Sequence, residues 1–293
     1  MIRRTSSDRW FDGVNVAFFC LALAIIIYPL YFVLISSFSD PNAINGGRVW
    51  LWPVDVTWNG YRAIFDDESI WRGYRNSLIY AALGSFVSTA LTVAAGYALS
   101  RKDLVGRNPI MLLILFTMYF NGGMIPTYIL VKNLGLLDTV WAMVVPGAVS
   151  VYQLIIVRTF FQSNIPDELL EAAMMDGCSN LRFFFRIALP LSAPIVAVIV
   201  LFNAVSQWNS YFQALIYLNR EQLQPLQIIL RRILVLNQAA LGSLDWQTVE
   251  EMQKRAELVK YGVVIVASLP MLLLYPFLQK YFVNGIMLGS VKG

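Results

Sequence analysis

Blocks without a single Asp, Glu, Lys or Arg alternate along this chain with short polar segments. Six blocks reach membrane-spanning length, about 20 residues: 13–35, 77–99, 110–131, 139–157, 190–217 and 261–279. Backbone N–H and C=O groups in hydrocarbon must be satisfied within the segment, so each block is predicted to be a helix. Gly96, Pro126, Pro146 and Pro270 fall inside blocks, where membrane helices tolerate them better than soluble ones do. The first block follows Arg3 and Arg4, as a signal peptide would. It is longer than a signal core of about 7–15 residues and lacks a small-x-small site, so it is predicted to remain as an uncleaved span.

The two long polar segments differ in character. Residues 36–76 mix Pro, Gly, Asp and Trp and are predicted to be irregular with short helical pieces. Residues 218–260 carry two amphipathic patterns. Leu226, Ile229, Leu230, Ile233 and Leu234 recur at helical spacing, as do Val249, Met252, Ala256 and Val259 after Asp245, a candidate cap. Such stripes are expected to lie on the membrane surface or against the bundle. The chain is thus predicted to be one all-α transmembrane domain over residues 1–293, with six spans and a charged hairpin at 164–189.

Composition agrees with that picture and removes several functions. The chain is 58% hydrophobic and 14% charged, against about 25% charged in soluble domains. The net charge of +4 comes with no basic tract, so nucleic acid is not an expected partner. The chain has no histidine, which excludes imidazole triads and proton shuttles. Cys20 and Cys178 form no CxxC, and neither a disulfide nor a metal site is expected. Gly-Lys never occurs, so no P-loop is possible and ATP must be bound elsewhere. Ion-coupled carriers usually keep ionisable groups within spans, and these blocks have none. Sodium sites built from neutral oxygens leave an ion-coupled carrier as the alternative. Asp66, Asp67 and Glu68 are the one acidic cluster. Nothing basic or nucleophilic is patterned around them, so a solvated turn is expected rather than an embedded enzyme.

Orientation rests on short loops. The flanks divide evenly, with eleven Lys and Arg on each side. Near span ends, "SRKDLVGRNP" outweighs "KNLGLLD" and the N-terminal segment adds Arg3, Arg4 and Arg9. The positive-inside rule therefore puts both termini and the hairpin in the cytoplasm.

The hairpin reads "ELLEAAMMDGCSNLRFFFRIALP" from Glu168. Pro166, Asp167 and Glu168 form a helix start, and Gly177 is the matching stop. Leu169, Leu170, Ala173 and Met174 form an apolar stripe, with Glu168 and Glu171 off it. Ser179 or Asn180 can cap a second short helix. The stripe could fold back on its own bundle or dock a partner, and composition leaves both open.

These residues also carry a resemblance. Glu171, Ala172, Ala173, Asp176, Gly177, Phe183, Ile187, Leu189 and Pro190 match the spacing of the EAA loop in permease subunits of binding-protein-dependent ABC importers. The tail "LQKYFVNGIMLGSVKG" is similar to the ending of sugar permeases of the maltose-importer type. "FNGGMIPTYILVKNLGLLDT" resembles the subgroup handling oligosaccharides and larger glycans. The resemblance implies a type I ABC importer permease fold in a bacterial cytoplasmic (inner) membrane. It implies a second, different permease subunit, two ATPase subunits that bind ATP and Mg, and an extracytoplasmic solute-binding protein. It further implies that Glu168, Leu169, Glu171, Ala172, Ala173, Met174, Asp176 and Gly177 couple to the ATPase, with Gly289, Lys292 and Gly293 of the tail at the same interface. Segment 218–260 stands where maltose-type permeases carry a loop into the binding protein. Arg220, Arg231 and Arg232 could face an acidic partner or an acidic sugar, and the plainer reading of each is a solvated or headgroup-facing arginine.

The fifth block is the polar one. Asn203, Ser206, Gln207 and Ser210 share one helical face, with Trp208, Asn209, Tyr211 and Phe212 beside them. Amides and hydroxyls can exchange hydrogen bonds with sugar hydroxyls, and aromatic faces can stack on pyranose rings. These residues, with Gln153 and Asn121, are the pathway candidates, and helix–helix adhesion is the competing explanation. The expected substrate is an oligo- or polysaccharide, alginate or another uronate chain being one candidate on subgroup likeness.

Overall fold

The computed structural model describes residues 6–239 and 246–287, all helix, turn or loop with no strand among them. In chain order the helices are α1 (Ser6–Ser36), α2 (Pro41–Asn45), α3 (Asn59–Phe65), α4 (Glu68–Ser100), α5 (Arg107–Tyr119) and α6 (Met124–Asn133). Next come α7 (Trp141–Val144), α8 (Val151–Asn164), α9 (Asp167–Met175) and α10 (Asn180–Phe183). A π-helical turn (Phe184–Ala188) then leads into α11 (Leu189–Leu191), α12 (Ala193–Trp208), α13 (Tyr211–Tyr217), α14 (Leu226–Ala239) and α15 (Trp246–Met287).

Three stretches are long and apolar enough to cross a membrane as single helices: Trp10–Ser36, Glu68–Ser100 and Glu257–Pro276. They contain the first and second apolar blocks and residues 261–276 of the sixth. The third and fifth blocks belong to bent pairs, Arg107–Tyr119 with Met124–Asn133 at 114° and Asn180–Leu191 with Ala193–Trp208 at 79°. Counting each pair as one span gives five. The fourth block, 139–157, is not one helix.

Each break has a local cause. Between α5 and α6, Gly123 adopts φ 89°, ψ 173°, a region open essentially to glycine alone, and Asn121 Oδ1 accepts its N–H at 2.9 Å. The fourth block breaks at Pro146–Gly147. Proline brings no N–H to continue α7, and Ser150 caps the new start by accepting the Gln153 N–H. The fifth block starts late, because Pro190 and Pro194 bracket the turn at Ser192. It then breaks again at Asn209–Ser210, where Ser210 Oγ donates to Gln207 O at 2.6 Å.

The chain divides into two compact units, Met1–Ile70 with Leu230–Leu269, and Trp71–Ile229 with Pro270–Gly293. In the first, the segment after α1 folds into short helical pieces as expected. Asp40 caps α2 by accepting the Asn42 N–H at 2.9 Å, and Ile35, Ala43 and Val49 form a small core. Tyr61 donates to Ser37 Oγ at 2.9 Å, tying α3 to the end of α1. The amphipathic helices after residue 218 are present. Leu226 and Ile229 of the second unit are buried, as are Leu230 and Val259 of the first, whereas Asp245 lies outside the described residues.

In the second unit α4 is the spine. Its first turn lies in the first unit, where Asp67 Oδ1 accepts the Ser69 N–H at 2.9 Å, so part of the acidic cluster serves as a helix cap. One core joins Val93 of α4, Val157 and Phe161 of α8, Leu170 and Ala173 of α9, Phe183, Ala188, and Ile195 and Ile199 of α12. That core fixes the base of the charged hairpin to α4, α8 and α12.

Candidate functional site

The hairpin is built as its residues dictate. Pro166 (φ −67°, ψ 149°) precedes α9, whose first turn carries Asp167 and Glu168 at the positive end of the dipole. At the other end the Gly177 N–H donates to Met174 O and the Cys178 N–H to Ala173 O, both at 2.9 Å. Those two bonds satisfy terminal carbonyls in a Schellman turn, which needs a left-handed residue. Gly177 supplies it with φ 75°. Ser179 Oγ accepts the Arg182 N–H and starts α10.

The apolar stripe of α9 divides between two surroundings. Leu170 and Ala173 are buried in the chain's own core with Phe183, and Leu169 packs against it half-buried. Glu168, Glu171, Ala172, Asp176 and Gly177 are exposed. Met174 is 53% exposed and Met175 89%. The inner part of the stripe therefore folds back on the bundle, leaving Leu169 and Ala173 with an anchoring position. The open apolar surface is Ala172, Met174 and Met175. The sequence reading left out Met175, although its place beside Met174 at the glycine stop was a usable signal. No heavy atom lies within 4 Å of where a Cβ on Gly177 would project, so the turn is open on its outer side.

Lys102 Nζ lies 2.6 Å from Asp167 Oδ2 and fastens the 101–106 loop to the first turn of α9. The hydrogen bond from Lys102 holds the Asp167 carboxyl below its usual range, and the same bond raises Lys102. The pair sits on a cleft of about 330 Å³, also lined by Tyr97, Arg101, Arg107 and Glu168. Arg158 Nε donates to Leu99 O at 3.1 Å, placing a cation at the carbonyl end of α4.

The pathway candidates do not converge on one face. Asn203 is buried and donates to Thr89 Oγ1 on α4. Gln207 packs against Gly84, and Trp208 meets Tyr74 edge-on with ring centres 5.5 Å apart. Gln153 Oε1 and Gln207 Oε1 are buried without a hydrogen-bond partner among the described residues. Asn209 is exposed at the α12–α13 break and donates back to Val205 O; Tyr211 beside it is half-buried. Asn121 is exposed at the α5–α6 break. Gly289, Lys292 and Gly293 lie outside the described residues.

One arrangement was missed from sequence. Segment 219–226 is held by side chains: Asn76 Nδ2 donates to Gln222 O at 2.7 Å and Gln224 O at 3.1 Å. Tyr80 donates to Leu223 O at 2.7 Å, and Ser77 Oγ accepts the Leu226 N–H at 2.9 Å. Asp138 Oδ1 accepts the N–H groups of Asn219 and Arg220. The signal lay at the start of the second block, where polar Asn76, Ser77 and Tyr80 occupy one turn.

Comparison with known proteins identifies the family. Residues 90–287 match the family described as binding-protein-dependent transport system inner membrane component. The chain is 41% identical over 286 residues to the polygalacturonan/rhamnogalacturonan transport system permease protein YtcP of Bacillus subtilis (strain 168), covering 98% of this chain and 99% of that one. It is 38% identical over 292 residues to Protein LplC of the same organism, covering 100% and 98%. Among solved structures it is similar to a chain of a bacterial ABC transporter involved in the import of the acidic polysaccharide alginate. The TM-score is 0.88 and the identity 32%, covering 96% of this chain and 100% of that one. The chain belongs to the binding-protein-dependent transport system inner membrane components, the multi-pass permeases of ABC importers.

Proposed function

We propose that this chain is one permease subunit of an ATP-driven importer of an oligo- or polysaccharide, and that uronate-containing chains are its substrates. The observation that carries the coupling role is the hairpin. It rests on a core shared with α4, α8 and α12, yet presents Ala172, Met174, Met175 and an open Gly177 turn. A separate ATPase subunit gripping that surface would move α4, α8 and α12 together. ATP and its Mg²⁺ are bound there, and this chain performs no hydrolysis. Glu168, Glu171 and Asp176 set register on the rim of the contact, where charge fixes orientation more than affinity. The acidic-polysaccharide importer and the polygalacturonan permease among its relatives support the substrate class.

In this reading a second, different permease completes the pathway, two ATPase subunits drive it and a solute-binding protein delivers the sugar. Both termini and the hairpin face the cytoplasm. Asn209, Tyr211 and Asn121 at the helix breaks line the route, while Asn203, Gln207 and Trp208 hold α12 to α4 beside it, and Gln153 stands on α8.

The test is copurification followed by transport. The tagged chain should bring down an ATPase and a second permease. The reconstituted complex should take up oligogalacturonate or oligoalginate only with ATP and binding protein. A chain that purifies alone and transports on an ion gradient contradicts the proposal. Preference for neutral maltooligosaccharides contradicts the substrate class alone.

A further inference from the structure

Within the first unit, the segment after α1 returns along the helix it has just left. Tyr28 of α1 donates to Trp50 O at 3.3 Å and Tyr31 to Leu51 O at 2.5 Å. The Trp50 indole N–H is itself satisfied by Gly47 O at 2.7 Å. Trp50, Leu51 and Trp52 are nevertheless 69%, 60% and 76% exposed. Charges stay behind the tip, where Arg48 pairs with Asp55 at 3.7 Å.

The position of the two tyrosines fixes the depth. The apolar part of α1 is Trp10–Ser36, about 40 Å at 1.5 Å per residue, against a hydrocarbon core of about 30 Å. With Trp10 at the opposite edge of the hydrocarbon, Tyr28 and Tyr31 lie about 27 and 32 Å along α1, at the far boundary of a core about 30 Å thick. A phenol hydroxyl there needs a partner, since water is scarce. The carbonyls of Trp50 and Leu51 are those partners. A loop that reaches them carries its side chains to the same level.

We propose that Trp50-Leu51-Trp52 is a lipid-embedded wedge, inserted at the boundary of headgroups and acyl chains in the leaflet at the Ser36 end of α1. The occupant of this surface is phospholipid. Three features favour lipid over a water-facing role: the depth set by Tyr28 and Tyr31, the internally satisfied indole, and the apolar α1 flank nearby, where Ile25, Ile27 and Leu30 are 54–67% exposed. Tryptophan prefers this boundary because its ring is apolar at one end and polar at the other. The wedge fixes the vertical position of α1 and of the small core of Ile35, Ala43 and Val49 beside it.

The experiment places an environment-sensitive fluorophore (NBD) at Trp52→Cys, in a Cys20→Ser, Cys178→Ser background, with the assembled transporter in phosphatidylcholine–phosphatidylglycerol vesicles. Trp50→Cys provides a second, independent reading. Quenching by lipids with a nitroxide at acyl position 5 should exceed that at position 12 by at least twofold. It should also exceed quenching by aqueous iodide by at least twofold. Dominant iodide quenching overturns the proposal by placing the tip in water. Protection from lipid and iodide alike overturns it by placing the tip against a protein partner.

Discussion

Asn203 Nδ2 donates to Thr89 Oγ1 at 3.1 Å, and both residues are buried. A membrane helix pair is thereby joined by an amide and a hydroxyl where apolar contact would offer little net drive. Asn203→Ala should destabilise the complex by about 0.6 kcal/mol and by no more than about 1.7, the range for such bonds in membranes. Thermal unfolding of the purified complex measures the loss. The KM for sugar should stay within twofold, whereas a large rise in KM with unchanged stability would make Asn203 a substrate ligand instead.

Close approach of α4 to its neighbours depends on two glycines that differ in tolerance. A Cβ on Gly96 would sit 2.6 Å from Val157 Cγ1 and 3.3 Å from the Arg158 nitrogen. A branched side chain and a backbone atom cannot both yield, so Gly96→Ala should cost about 1–3 kcal/mol as over-packing. The three atoms nearest a Cβ on Gly84 all belong to the Gln207 side chain, from 2.6 Å, which can rotate away. Gly84→Ala should cost clearly less. Unfolding midpoints of the two variants, measured side by side, check the order.

Asp138 ties the 134–140 turn to segment 219–220. The Arg220 N–H, then the Asn219 groups, hold its carboxyl below the usual range. A depressed carboxylate stabilises fully above its unfolded pKa and loses that contribution as pH falls through the lowered folded value. Amide exchange at Asn219 and Arg220 should therefore stay slow at neutral pH and speed up only below the usual carboxylate range. Asp138→Asn should exchange faster at neutral pH and lose this acid dependence. An identical pH profile in the two proteins would refute the assignment.

Gly177 combines φ 75° with open space. Any side chain meets backbone strain of about 1–3 kcal/mol there, and a β-branched one fits worst. Among the described residues nothing lies within 4 Å of where its Cβ would project. Gly177→Val should leave the complex assembled while uptake falls by at least tenfold. Wild-type uptake by this variant would remove the turn from the coupling machinery.

The helices and the hairpin were legible because their signals are local. Pro166-Asp167-Glu168 and Gly177 give α9 within one residue at each end, and Ser179 caps α10 as its type suggests. The inner and outer faces of α9 were not legible. Leu170 and Ala173 look no different in sequence from Met174, and only the position of Phe161 and Phe183 decides which side is covered. The blocks at 110–131 and 139–157 read as continuous because an uncharged run shows length and not direction. Asn121-Gly122-Gly123 and Pro146-Gly147 turn the backbone without adding charge. The fifth block is not one continuous polar face for a related reason: the break at Asn209–Ser210 takes Ser210 out of register with Asn203, Ser206 and Gln207, which stay together on α12.

The central claim is that a separate nucleotide-hydrolysing subunit grips the outer face of α9. A Met175→Cys variant in a Cys20→Ser, Cys178→Ser background measures this, with single cysteines on the ATPase and a short bifunctional maleimide. Met175 is 89% exposed, so the label does not disturb the core. The account predicts a crosslink to the ATPase whose yield changes when ATP is added, and none from Leu170→Cys, which faces inward. Met175 crosslinking to no ATPase residue, or labelling from the opposite side of the membrane, would contradict it.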